Sequence, residues 1–390
     1  MLGSIHIGTS GLIGFSKQLQ TISNNVANLN TPGFKGSNAQ FTAFFSEGGN
    51  SALRGHGGGQ TGSGLGTLPS VVNFSQGQIN QTGNDLDAAI NGNGFFVLRS
   101  TSGQLLYTRD GQFKFDEKGI LVNANGDHVQ ALNAQGVLQD ISLNGVRTNS
   151  ASASSTITMN GTLSNVDTDK LIGGVTVTDS AGGTHTLSVN FHNNTAVTPG
   201  SWLVTIKDGT TTVGTGEIRF ASGLLDPAFN TVSLTYSPAG AAAMPLTLTM
   251  DPSSTNPTSG VSSLAVSSVD GFGTGDLTQT TFDADGNLVL TYSNGQTTKV
   301  QTLALATFSS SNDLHAVNGN NFTSTNQQGV SLRVAKTSNT TISADALEAS
   351  NVDLSQEFSD IIVTQRGYQA ASELISTANQ MLDTLMRMKG

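Results

Sequence analysis

The sequence predicts a mainly β protein with α-helical termini, its N- and C-terminal helices pairing as a coiled coil beside two nested β-rich domains. Three observations carry that expectation. Apolar residues recur at helical spacing only at the two ends of the 390-residue chain, the residues between them alternate at strand spacing, and Asn-Gly and Asp-Gly dipeptides punctuate those strands.

Over residues 12–29, Leu12, Phe15, Leu19, Ile22, Val26 and Leu29 recur at alternating steps of three and four, a heptad stripe. Asn28, Leu29 and Asn30 lead into Thr31-Pro32-Gly33-Phe34, where Pro and Gly suit the two central positions of a type II turn that stops the helix. At the other end, over residues 351–388, Ile361, Tyr368, Ile375 and Leu382 fall seven apart, flanked by Phe358, Ala371, Ala378 and Leu385. Ser350 or Asn351 is expected to open this helix, with Asp353 completing a capping box. At ~1.5 Å per residue the helix is about 55 Å long, more than the width of an ordinary domain. No other long helix is predicted to cover these stripes. They are therefore expected to pack on each other and on further copies of the chain, which makes them a polymerisation seam.

Residues 35–70 read as a flexible connector, with glycines at 55, 57–59, 62 and 64. From 71 to 145, strands are expected at 95–98, 113–115 and 120–122, turned by Asn91-Gly92, Asp110-Gly111, Lys118-Gly119 and Asn125-Gly126. A Ser/Ala/Thr run at 150–156 opens an insert whose strands are expected at 175–177, 187–189, 202–206 and 246–249. After a Pro/Ser/Thr stretch at 251–260, Asp270-Gly271, Asp285-Gly286 and Asn294-Gly295 resume the hairpin style of residues 71–145. The expected domains are thus nested: 1–34 with 350–390 terminal and helical, 71–145 with 271–349 an inner β domain, and 146–270 an inserted outer β domain.

Charged residues make up 11% of the chain, against about a quarter in an average globular protein. The net charge of −10 leaves no basic stripe for nucleic acid or anionic lipid. No apolar run approaches the ~20 residues of a membrane helix, so membrane insertion is not expected. With no cysteine there is no disulfide, thiolate metal site or cysteine nucleophile. The opening residues Met1 to His6 lack a basic and a hydrophobic region, so no cleavable secretory signal is expected.

The six histidines are scattered, and none forms a metal pair at helical spacing. His185 and His192 flank a strand pair and are set aside as ligands. Thr281 to Gly286 matches part of a calcium loop but lacks its first Asp and has Tyr292 in place of the bidentate Glu, so it reads as an Asp-Gly turn. Gly92-Asn93-Gly94 precedes a strand rather than following one and is no dinucleotide fingerprint. No nucleophile elbow appears. No catalytic, cofactor-binding or metal-binding residue is expected, and the chain does not read as an enzyme. A secreted β-rich adhesin or enzyme would fit the Gly/Thr/Asn composition, but not the paired terminal heptads.

The block from Ser23 to Lys35, with Asn24, Asn25, Asn28, Thr31, Pro32, Gly33, Phe34 and Lys35, closely resembles the N-terminal signature of bacterial flagellar rod and hook proteins. Gln76-Gly77 through Gly83 with Leu86 to Phe96, then Tyr107 to Phe113 with Gly119 to Val122, are similar to that family's second and third blocks. Leu347 to Leu354 followed by Gln365-Arg366-Gly367-Tyr368-Gln369-Ala370 is similar to its fourth. The blocks cover both ends and the inner β segment in the family's order. Within the family, chain length, the large insert and residues 276–308 point to the hook branch, a distal rod protein with an enlarged insert being the alternative. Flagellin shares helical ends but not the Thr-Pro-Gly-Phe-Lys block.

The resemblance implies a structural subunit that self-assembles into a flexible helical tube, a universal joint carrying torque from rod to filament. It implies passage through the flagellar type III export apparatus and contact with rod, hook cap and hook–filament junction proteins. It also implies that the helices form the inner tube and the β domains the outer shells.

Overall fold

A computed structural model describes residues 2–46, 61–318, 320–337 and 340–389. Its two long helices are α1 (Leu2–Ala27) and α2 (Leu354–Lys389), and most of the intervening described residues lie in strands and turns. The chain divides into two compact units, one of residues 1–144, 280–289 and 299–390, the other of 145–279 and 290–298.

In the first unit, α1 begins well before the predicted residue 12, because small residues such as Gly3, Gly8 and Gly11 interrupt the apolar period without interrupting the helix. It ends at Ala27, and Leu29 lies beyond it. The Asn28 side-chain amide donates to Asn24 O at 2.9 Å, satisfying one of the last helical carbonyls. Phe34 N donates to Thr31 O at 3.3 Å with Gly33 at φ +68°, the turn that the Pro-Gly pair predicts. At α2, Asp353 rather than Ser350 is the cap: its Oδ1 accepts from Ser355 N at 2.8 Å and Gln356 N at 3.3 Å.

The expected connector is a correction. Within 35–70 the chain forms antiparallel strands β1 (Ser37–Ser46) and β2 (Thr61–Val72). Residues 47–60, which include the glycines at 55 and 57–59, lie outside the described residues. Glycine reads as linker, yet at Gly64 it serves close approach: a Cβ there would lie 2.6 Å from Ser10 Oγ of α1, and the next residue's amide, Leu65 N, donates to that hydroxyl at 3.0 Å.

The main sheet of this unit runs in the order 314–316, 321–324, 105–108, 95–99, 128–132, 121–122, 114–115, with 138–140, 305–308 and 330–333 attached. Phe95, Tyr107 and Phe322 are buried on it, and Phe74 meets Phe95 and Phe322 edge to face at 5.5 and 5.3 Å. Lys118-Gly119 and Asn125-Gly126 turn the hairpins of 114–115 with 121–122 and of 121–122 with 128–132. Asn91-Gly92 and Asp110-Gly111 do not turn hairpins. Strand 88–91 pairs with 341–344 instead, and Gly111 is needed because a Cβ would lie 1.6 Å from Ala88 O.

In the second unit, a five-stranded sheet (169–178, 184–193, 201–208, 211–221, 224–225) and a four-stranded sheet (231–236, 244–250, 156–160, 265–269) share one core. Trp202, Phe191, Tyr236, Ile157 and Met159 are fully buried there. The strands predicted at 175–177, 187–189, 202–206 and 246–249 all lie in these sheets. The unit extends past 270 to include 271–279 and 290–298. Asp270-Gly271 is no hairpin turn, since Gly271 backs onto Ser154, whose N lies 2.5 Å from its would-be Cβ.

Candidate functional site

The two helices run antiparallel in a single register. Gly8 lies against Ile375, Gly11 against Ala371, and the Phe15 ring over Gly367. At the far end Asn25 Nδ2 donates to Glu357 Oε1 at 2.9 Å. Steps up one helix match steps of equal length down the other, as straight antiparallel packing requires.

Of the predicted seam, Ile22 is buried, and Leu12, Phe15, Leu19, Val26 and Leu29 are half-buried. On α2, Ile361, Ile375 and Leu382 are half-buried, on one line with buried Thr364, Ala371 and Ala378. Phe358 lies off that line, whereas Tyr368 and Leu385 fall seven residues from members of it; all three are exposed. The large residues at a seven-residue step drew attention away from the small ones that line the contact. A Cβ at Gly8 would lie 2.6 Å from Ile375 Cγ1, and one at Gly367 2.5 Å from Phe15 Cζ. Thr364 and Gly367, which the seven-residue stripe does not mark, join Ala371 and Ala378 at steps of three, four and seven, the pattern of close helix approach.

Where the helices enter the β domain, the signature residues form a buried ionic junction. The Lys35 ammonium and the Glu348 carboxylate pair at Oε1, both side chains fully buried, and Arg109 Nη1 holds Oε2 at 3.0 Å. Gly77 N donates to Oε1 at 2.8 Å, Lys35 Nζ to Ser75 O at 2.8 Å, and Arg109 Nη2 to Gly92 O at 2.8 Å. Burial pushes the Lys35 amine down; Glu348 opposes that shift and Arg109 adds to it. Burial also lowers Arg109, against the pull of Glu348.

Asn351 Oδ1 accepts from Gly36 N at 2.8 Å while its amide donates to Asn73 O at 2.8 Å. The Asn25 amide donates to Ser37 O, and its Oδ1 accepts from Ser37 N at 3.0 Å. Gly33 N donates to Glu348 O at 2.7 Å, and a Cβ at Gly33 would lie 2.4 Å from Asp110 N. Asn320 Nδ2 reaches Pro32 O at 2.7 Å. Asn28 contacts Thr31, its Oδ1 accepting from Oγ1 at 3.2 Å. Asn24 Oδ1 accepts from the Asn28 amide at 3.2 Å, and Phe34 supplies backbone groups only among the bonds described.

Elsewhere His185 Nε2 lies 2.9 Å from Asp179 Oδ2, and His192 Nδ1 2.9 Å from Asp169 Oδ1, so each histidine has its own aspartate. Asp283 Oδ1 accepts from Asp285 N and Asn287 N and caps its turn. Among the described residues no group of three or more His, Asp or Glu could hold a metal ion. Among the described residues no helix is long and apolar enough to cross a membrane.

A helix pair drawn from both chain ends and latched to a β domain by these signature residues defines an axial, structural protein of the bacterial flagellum. The family described as "Flagella basal body rod protein" matches residues 5–35, "Flagellar hook protein FlgE/F/G D1 domain" matches 89–178, and "Flagellar basal body rod FlgEFG protein C-terminal" matches 343–388. The chain is 32% identical over 410 residues to the flagellar hook protein FlgE of Escherichia coli (strain K12), covering 97% of this chain and 98% of that one. It is 30% identical over 412 residues to that of Salmonella typhimurium, with 97% and 98% covered, and 29% identical over 469 residues to that of Treponema pallidum, both chains covered in full. The chain belongs to the flagellar hook protein family FlgE. It is a structural subunit of the hook, not an enzyme, and assembles as a polymer in the flagellum.

Proposed function

We propose that this chain polymerises through its terminal helices into a bendable tube that transmits torque from rod to filament. The observation that carries this is the α1–α2 pair: the helices cover one face of each other and leave Ile7 and Ile13 of α1, and Phe358, Ile362 and Leu374 of α2, open to solvent. Apolar surface of that extent is stable in water only when another body covers it. Residues 1–34 with 350–390 form the inner tube, 71–144 with 280–289 and 299–349 the inner β shell, and 145–279 with 290–298 the outer one. The low charge of the chain suits a joint whose neutral polar contacts re-pair as the tube bends.

The finer partners are the flagellar rod, the hook cap, the hook–filament junction proteins and the type III export apparatus, with export from the cell lacking a cleavable signal peptide. The test is electron microscopy of purified subunits, together with complementation of a hookless strain. Tubes in vitro and restored hooks are expected; a chain that stays monomeric at high concentration and restores no hook overturns the proposal.

A further inference from the structure

Helix α2 carries a second apolar line that α1 does not cover. Val363, Leu374, Met381 and Met388 follow one another at heptad-compatible steps, roughly a quarter turn from the face holding Ala371 and Ala378, and all four are exposed. Midway along, this line opens into a cavity of about 460 Å3. Its floor is glycine, with Gly8 and Gly11 of α1 and Gly367 of α2, and its walls include Ile7, Leu374 and Gly64 of β2.

Phe358 and Ile362 stand one turn apart elsewhere on the same helix, each 53% exposed. At 3.6 residues per turn Phe358 lies about 160° round the helix from Leu374. A knob and a hollow so far apart in direction cannot meet within one chain. Nor does a two-fold pair suit them, because a two-fold contact sets a patch against itself. Two unlike patches on nearly opposite sides join head to tail, and a head-to-tail contact that does not close builds an open filament. That geometry selects a second copy of this chain as the occupant.

We propose that Phe358 and Ile362 of one copy seat in the glycine-floored cavity between α1, α2 and β2 of the next. The inference rests on the reading of the terminal helices as assembly elements and adds the contact and its direction. An aromatic side chain entering a dry pocket is the usual anchor of a protein interface. The stagger follows from the placement: with Phe358 level with residue 370 of its neighbour, parallel α2 helices are offset by about 12 residues, roughly 18 Å.

The chain has no cysteine, so thiol cross-linking has no background. Ile362→Cys combined with Leu374→Cys, polymerised and treated with a short bis-maleimide, should give a ladder of covalent oligomers, while each single variant gives none. Phe358→Ala should keep the wild-type monomer's thermal midpoint, since the ring is solvent-exposed, and raise the critical concentration for polymerisation by roughly tenfold or more, as loss of an anchor does. Wild-type polymers need no variant for a third reading. Peroxide oxidation of Met381, on the same open line as the cavity, should slow on polymerisation as its face is covered. If wild-type subunits polymerise but Phe358→Ala does so at the same concentration and no ladder forms, this contact is wrong and the assembly reading stands. If wild-type subunits do not polymerise, the assembly reading itself fails.

Discussion

Lys35 and Glu348 stand 313 residues apart in the chain and meet as a buried ion pair, with Arg109 on the other carboxylate oxygen. One carboxylate from the returning segment thus satisfies a lysine from the end of the N-terminal signature and an arginine from the sheet. Removing one partner from a buried set leaves charges that water cannot reach, which is costlier than the set itself is stabilising.

Glu348→Gln should therefore lower the unfolding free energy of the first unit by about 3–5 kcal/mol, the range for breaking a buried pair. Lys35→Met in the same chain should recover part of the loss by removing one stranded charge. Chemical denaturation of the single and double variants measures this. A Glu348→Gln protein as stable as the wild type would show that the junction is solvated.

Glu357 gives a pH signature. Burial is the main cause of its raised carboxyl pKa; the Asn25 amide opposes the rise and Asp360 adds to it. A carboxyl whose folded pKa exceeds its ordinary value of 4.5 holds a proton more tightly when folded. Its stabilising contribution is present below that ordinary value and is lost as pH rises through the folded pKa. Thermal midpoints taken from pH 4.5 upward should fall less steeply for Glu357→Gln than for the wild type. Parallel curves would assign the pH dependence to another group.

Gly8 tests the helix contact. Glycine to leucine in a helix ordinarily gains nearly 1 kcal/mol in propensity. At Gly8 the new side chain meets Ile375 Cγ1, so Gly8→Leu should instead lose about 1–3 kcal/mol through overpacking. Adding Ile375→Ala should restore most of it. Helix content followed by circular dichroism on heating distinguishes the two, and a stabilised single variant would place α2 elsewhere.

Ile375→Asp should abolish hook assembly, because Ile375, half-buried against Gly8, is covered further in the polymer, where an unpaired carboxylate costs several kcal/mol in each subunit. His185→Ala removes a partly exposed ring from Asp179, a buried aspartate of the second unit that still accepts from Ala181 N and Gly183 N, and should leave motility near normal. Swimming assays, with export of each variant checked separately, make the comparison. Motile cells carrying Ile375→Asp and immotile cells carrying His185→Ala would reverse the assignment.

The sequence by itself determined the class of the elements that carry a strong period or turn signal. The heptad stripes marked both helices, alternation marked the strands of both units, and Thr31-Pro32-Gly33-Phe34 marked a turn that only glycine at positive φ can make. These are local properties, fixed by side-chain periodicity and by the backbone freedom of single residues.

Only the tertiary structure decided which face of α2 meets α1, that residues 37–46 and 61–72 are a strand pair, and that Lys35, Arg109 and Glu348 are one site. Helix contact is set by what fits, so Gly8, Gly367 and Ala371 line it while the larger Phe358 and Tyr368 remain in water. Strand pairing runs through backbone groups that composition does not report. Charges hundreds of residues apart carry no mark of each other until the fold removes the water between them.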